Sequence, residues 1–235
     1  MTAHLSKWVR HYSQRLPWRT LSLTLSALLL YWLLGPAPEA LTYEREAIAA
    51  GEWWRLLTGH WVHSDLEHLL FDVTAMAIVL YLFEKSPLWQ LTLLLTTATV
   101  IIDAWLWWQM PWLQSYCGLS GLLNALLACG LLVLWKRRSD PAYLLIGALA
   151  ALKITVEITL GDALFTTTAW AAVPEAHAAG MVTGLLLGIF FTYIKNLFWK
   201  TKKTPFQEAS ESMIPLANLV GCGRPKRPTN GLKKG

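Results

Sequence analysis

The chain has 235 residues, 54% of them hydrophobic and only 15% charged, with a mean hydropathy of +0.39. A soluble domain carries about 25% charge, so an ordinary water-soluble globule is excluded, and so is disorder in the body of the chain. The net charge of +5 belongs to one end: residues 200–235 hold eight Lys/Arg against two Glu, while residues 1–199 hold twelve against thirteen acidic residues. A basic folded face with interleaved aromatics, as nucleic acid requires, is absent.

A bilayer-crossing helix needs about 20 mostly apolar residues. Six segments are read as such spans: 20–34, 66–83, 88–108, 119–135, 142–160 and 176–198. The fold class expected is all-α, a polytopic bundle of six transmembrane helices in one domain, 20–198. A basic N-terminal segment (1–19) precedes it, and a basic, disordered tail near anionic lipid (199–235) follows it. No small-x-small cleavage site follows the first span, so it is not a signal peptide. The connection 36–65 is too long for a turn. Its mixture around Trp53 and Trp54 suits a short amphipathic helix in the interface.

Lys and Arg orient the spans. Lys7, Arg10, Arg15 and Arg19 precede the first; Lys85 lies in the second connection; Lys136, Arg137 and Arg138 lie in the fourth; and Lys195, Lys200, Lys202 and Lys203 end the sixth. If the six alternate, these fall on one side, so both termini are cytoplasmic. Fourteen Trp suit two lipid–water interfaces, with Trp105, Trp107, Trp108 and Trp112 read as a belt.

Ionisable groups within spans are costly and mark function or a buried pair. His63, His68 and Asp72 open the second span, Ser120 the fourth and His177 the sixth. On this topology all three helix starts lie at one depth on the outward side. His68 and Asp72, four apart, share a helix face. Gly180, Gly184 and Gly188 on the sixth span, and Gly121, Ala125 and Cys129 on the fourth, form small-residue stripes that let backbones approach closely. That approach is what a Ser–His hydrogen bond would require. Three chemistries stay open on these residues. His177 can activate Ser120 as a nucleophile, with donors from the second span on the oxyanion. His63, His68, Asp72 and His177 can bind a metal, although HExxH is absent. Or the polar groups can satisfy one another in a binding protein. The three cysteines (Cys117, Cys129, Cys222) form no CxxC, so neither a disulfide framework nor a zinc site is indicated. Lys153 and Glu157 are read as an ion pair, Asp103 as reaching water, His60 as a solvated loop residue and Cys117 as a packing residue.

Four motifs, in order, carry a resemblance. Gly118-Leu119-Ser120-Gly121 resembles the GxSG nucleophile motif of the rhomboid intramembrane serine proteases, and Ala176-His177-Ala178-Ala179-Gly180 with Gly184 resembles their AHxxGxxxG helix. His63, His68 and Asp72 match the spacing of HxxxxHxxxN, and Trp54-Arg55 is similar to the Trp-Arg of the first loop. The resemblance implies Ser120 as nucleophile and His177 as base, a dyad without the Asp of soluble triads. His68 and the Ser120 N–H would serve the oxyanion. It implies no cofactor and no metal, and membrane-anchored protein substrates. Asp72 stands where the family has Asn; ionised it has no donor, and protonated it can donate. The run Gly51-Glu52-Trp53-Trp54-Arg55-Leu56-Leu57, Lys153/Glu157 and Val173-Pro174-Glu175 are similar to the rhombosortase subgroup. This implies a bacterial inner membrane, and substrates with a C-terminal Gly-Gly, transmembrane helix and basic cluster.

Overall fold

The computed structural model describes residues 16–165 and 168–202, with side chains to residue 196. Residues 1–15 of the N-terminal basic segment and most of the basic tail, with Cys222, lie outside the described residues. The chain divides into two compact units, 1–192 and 193–235; of the second, helical backbone to Lys202 is described.

The first unit is a helical bundle. Helix α1 (Trp18–Leu34) starts beside Pro17 and stops at Gly35, whose φ of 78° leaves the helical region. After it come a two-residue strand β1 (Tyr43–Glu44), the short helices α2 (Arg45–Ala49) and α3 (Arg55–Thr58), and a 3₁₀ turn at Gly59–Trp61. Helix α4 (Leu66–Tyr81) is capped by Asp65, whose carboxylate accepts the His68 N–H at 2.8 Å. Helix α5 (Leu88–Gln109) follows Pro87, and strand β2 (Ser115–Tyr116) leads into α6 (Ser120–Arg138). Lys136, Arg137 and Arg138 sit at the negative end of the α6 dipole. Helix α7 (Ala142–Leu160) ends at Gly161 in the left-handed conformation, and α8 is Pro174–Lys202.

Among the described residues, four helices are long and apolar enough to cross a membrane: α5, α6, α7 and Pro174–Asn196 of α8. Helix α1 is apolar but has 17 residues, and α4 has 16 and carries Glu67, His68 and Asp72. Large apolar side chains stand exposed around the bundle, among them Leu145, Leu152 and Leu160 on α7 and Leu186 and Ile189 on α8. Lipid, not water, is the solvent such a surface fits. The protein is an integral membrane protein.

The connection 36–65 holds two short helices, α2 and α3, with Trp53 and Trp54 exposed just ahead of α3. It is a folded cap whose polar groups are satisfied against the loop ahead of α6. Strand β1 pairs antiparallel with β2, Tyr43 opposite Tyr116 and Glu44 opposite Ser115. The Gly118 N–H donates to the Gly59 carbonyl at 3.1 Å. Arg45 donates to the carbonyls of Leu106, Trp107, Met110 and Leu113, closing the last turn of α5. Arg55 donates to the Thr42 and Glu39 carbonyls and pairs with Glu52 at 2.6 Å.

This cap corrects three expectations. His60 is buried, 1% exposed, and its Nε2 lies 3.1 Å from Asp103 Oδ1. Asp103 is likewise buried and does not reach water. A lone carboxylate on α5 would be costly, and His60, brought in by the 3₁₀ turn, supplies the partner. Trp107 is partly buried beneath the Arg45 guanidinium, 4.7 Å from its ring centroid, whereas Trp105, Trp108 and Trp112 are exposed as a belt requires.

Candidate active site

Three helix starts meet at one end of the bundle. Gly118 has φ +119°, and a Cβ there would lie 2.5 Å from His68 Nε2, so only glycine permits both the turn and the ring against it. The turn delivers Ser120 to the first position of α6, where a backbone N–H has no intrahelical acceptor. Tyr116 Oη donates to the Gly118 carbonyl at 3.2 Å, and Asp72 Oδ2 accepts the Leu119 N–H at 2.8 Å. The loop before Ser120 is thus held from the cap and from α4.

His177 reaches Ser120 because α6 and α8 touch backbone to backbone. A Cβ on Gly180 would overlap the Gly121 carbonyl, and one on Gly184 the Ala125 carbonyl. Gly188 is looser, 3.0 Å from Leu132 Cδ2. Gly121 meets Ile102 and the Ala176 carbonyl. At the head of this seam His177 Nε2 lies 2.8 Å from Ser120 Oγ. The small-residue stripes read in the sequence are the close contact that brings the two side chains together.

Around them stand the other predicted residues. His68 has its Nδ1 3.1 Å from Ser64 Oγ and its Nε2 3.5 Å from Asp72 Oδ2. His63 is buried with its Nε2 3.2 Å from the same oxygen, without hydrogen-bond alignment. The His63 and His68 rings pack edge to face, 5.1 Å between centroids. Asp65 is drawn up by burial, but hydrogen bonds from the His68 and Ala169 N–H groups and Ser64 Oγ together hold its pKa below the usual value. Cys117 is buried and free, and burial, then the Asp72 charge, pushes its thiol up to about 12. A cavity of about 680 Å³ joins these groups, lined by His68, Asp72, Ser120, Asn124 and His177 among others. Among the described residues no group of three His, Cys, Asp or Glu is arranged to hold a metal ion.

Two residues were not assigned to the site from sequence. Asn124 donates to the Ser120 carbonyl at 2.9 Å and lines the cavity; its spacing of four from Ser120 is the signal. Glu157, read only as the partner of Lys153, also lies against the histidine, with Oε2 3.4 Å from His177 Nδ1. The pairing with Lys153 is present at 2.6 Å. A carboxylate therefore stands beside the Ser–His pair, and it is a Glu from α7 rather than an Asp.

The Rhomboid domain family model matches residues 50–194. The chain belongs to the rhomboid family. The match spans the folded cap from Ala50, the α4 histidines, Ser120, His177 and the glycine seam. Rhomboids are intramembrane serine proteases that act on membrane-anchored substrates, so the chain is placed among hydrolases of that class. No curated protein matches the chain.

Proposed function

We propose that this rhomboid is an active intramembrane endopeptidase with Ser120 as nucleophile and His177 as general base. The 2.8 Å approach of His177 Nε2 to Ser120 Oγ carries the reading. Ser120 Oγ attacks the scissile carbonyl carbon while its proton passes to Nε2. As the C–N bond breaks, Nε2 returns that proton to the leaving amine, and water then hydrolyses the acyl-enzyme. The Ser120 N–H and the His68 ring face the carbonyl oxygen as it becomes negative. Gly118 and Asp72 hold the loop, and His63 packs behind His68. No cofactor is needed.

All six helices cross the bilayer in this reading. Helices α4, α6 and α8 begin at the site and α7 ends there. The start of α1 is tied to the far end of α4, the Arg19 and Thr20 N–H groups donating to Glu84 at 3.1 Å. Alternating spans require this arrangement. With the Lys/Arg distribution, this reading puts both termini in the cytoplasm and the site at the outer face of a bacterial inner membrane. The basic segments 1–19 and 199–235 flank the protease domain, 20–198.

Substrates are C-terminally anchored proteins with Gly-Gly ahead of a transmembrane helix and a basic flank, as in rhombosortases. A helical peptide bond is closed to a nucleophile, and Gly lowers the cost of unwinding by about 1 kcal/mol relative to Ala. Such an anchor sets Gly-Gly at the outer end of the helix, at the depth of Ser120.

Fluorophosphonate labelling of the wild type but not of Ser120→Ala tests the nucleophile. Labelling of neither, in detergent and in lipid, would favour a binding protein. Co-expression with a Gly-Gly substrate, followed by mass spectrometry of its new C-terminus, tests the substrate class. Processing that survives Gly-Gly→Leu-Leu overturns it.

A further inference from the structure

The geometry points to Glu157 as a positioning residue for His177, holding the imidazole in the one tautomer that can accept the Ser120 proton. The inference rests on the Ser120–His177 reading and adds a third member to it.

A neutral imidazole carries one N–H and one lone pair. For Nε2 to take the Ser120 proton its lone pair must face Oγ, so the hydrogen belongs on Nδ1 and needs an acceptor there. Glu157 Oε2 lies 3.4 Å from Nδ1. The other carboxylate oxygen, Oε1, receives Lys153 Nζ at 2.6 Å and the Leu164 N–H at 3.1 Å. The carboxylate is thus anchored on one side, leaving the other for the histidine.

The placement of the pair separates this role from simple charge neutralisation. An ion pair needed only to neutralise itself can sit anywhere that suits both partners. Here Glu157 is 1% exposed while the Lys153 side chain is 36% exposed. Glu157 and Ile154 are the buried residues of α7. The carboxylate is therefore buried against the histidine, while the ammonium stands half-buried at the wall of the cavity. Lys153 accounts for Oε1 alone; the direction of Oε2 is accounted for by His177. An acid that orients a catalytic histidine works by fixing tautomer and ring plane and by stabilising the imidazolium, without itself taking the proton.

The same arrangement sets the electrostatics. His68 and Asp72 from α4, Tyr116 and Cys117 from the loop before Ser120, and Lys153 and Glu157 from α7 share the cavity with His177. Glu175 stands two residues before it on α8. Exchanging Glu157 or Lys153 alone changes the charge near the imidazole in opposite senses.

The test is the rate of fluorophosphonate labelling against pH for the full-length protein in detergent, with Ser120→Ala as blank. Glu157→Gln is expected to label at least about 100-fold more slowly, since the amide can offer Nδ1 a donor and favour the wrong tautomer. Its acid limb should move to lower pH, because the imidazolium loses its carboxylate. Lys153→Met should move that limb to higher pH, because a positive charge is removed. Glu157→Asp should recover part of the rate. Should Glu157→Gln fail to fold, the Lys153→Met limb and the Glu157→Asp rate still decide. Glu157→Gln labelling within about threefold of wild type with an unmoved limb overturns the assignment. So does a limb that moves the same way in both exchanges. If wild type labels no faster than the blank, the protease reading falls and this inference with it; if wild type labels and Glu157→Gln keeps pace, Glu157 alone is wrong.

Discussion

The two helices that contact His177 do so in opposite ways. Helix α6 meets α8 along a seam of Gly121, Ala125, Gly180 and Gly184, where backbone touches backbone and no side chain can adjust. Helix α7 fully buries only Ile154 and Glu157 of its 19 residues, flanked by half-buried Tyr143, Gly147, Ala150, Lys153 and Val156. Ser120 and His177 are therefore placed by rigid main chain. The carboxylate beside the histidine comes from a helix that keeps most of its surface exposed. Geometry that must be constant between turnovers is built into the seam, and the more adjustable contact is left to a side chain.

Crowding the seam should have the largest effect. In Gly180→Ala or Gly184→Ala the new methyl meets a main-chain carbonyl, costing about 1–3 kcal/mol even after the better helix propensity of Ala. Any retreat separates Ser120 from His177, and a displacement near 1 Å lowers turnover about 100-fold. Cleavage rate and thermal unfolding in detergent check both. Gly188→Ala, where the obstacle is the mobile end of Leu132, should keep both near wild type; equal damage at all three positions would refute the seam as described.

Next in size is the tie between α4 and the loop before Ser120. Asp72→Ala leaves the buried Leu119 N–H without its acceptor, at a cost of about 1–3 kcal/mol. Asp72→Asn, whose amide oxygen can still accept, should retain most of the activity. A fall in wild-type activity with rising pH that Asp72→Asn abolishes would instead make Asp72 a protonated donor to the oxyanion.

Asp65 joins α4 to the segment beyond α7, capping α4 and accepting the Ala169 N–H at 2.7 Å. Its carboxyl is held below the ordinary value, so its stabilisation is present above about pH 4 and is lost as pH falls through the lower folded value. The thermal-stability advantage of wild type over Asp65→Ala, about 1 kcal/mol at neutral pH, should shrink on acidification. The smallest effect belongs to the outward face of α7: Leu149→Ala should shift stability by no more than about 0.5 kcal/mol.

The parts of this comparison differ in how openly the sequence displays them. Gly180 and Gly184 announce close packing by spacing alone, and with Ser120 and His177 at their heads they made the meeting of the two legible. Helix bounds were legible too, because Pro17, Pro87, Pro141 and Gly161 stand at the ends of apolar runs. The pairing of His60 with Asp103 was not, since 43 residues separate them and only the folded cap joins them. Nor was the inward turn of Glu157. Spacing of four identifies Lys153 as a neighbour on the same helix, but the rotation of α7 about its axis follows from packing. A helix apolar on nearly every face gives no clue to that rotation.

Three residues before Ser120 lies a thiol that looks, by position, like a second reactive group. Cys117 is buried at the wall of the cavity, and with its pKa pushed up to about 12 it stays protonated at physiological pH. A thiolate is the form that alkylating agents attack. Maleimides and iodoacetamide should therefore pass the folded protein by at this position, while serine-directed reagents engage its neighbour. An inhibitor for this centre has to be chosen for a hydroxyl, and cysteine-reactive hits from a screen should be traced elsewhere in the assay.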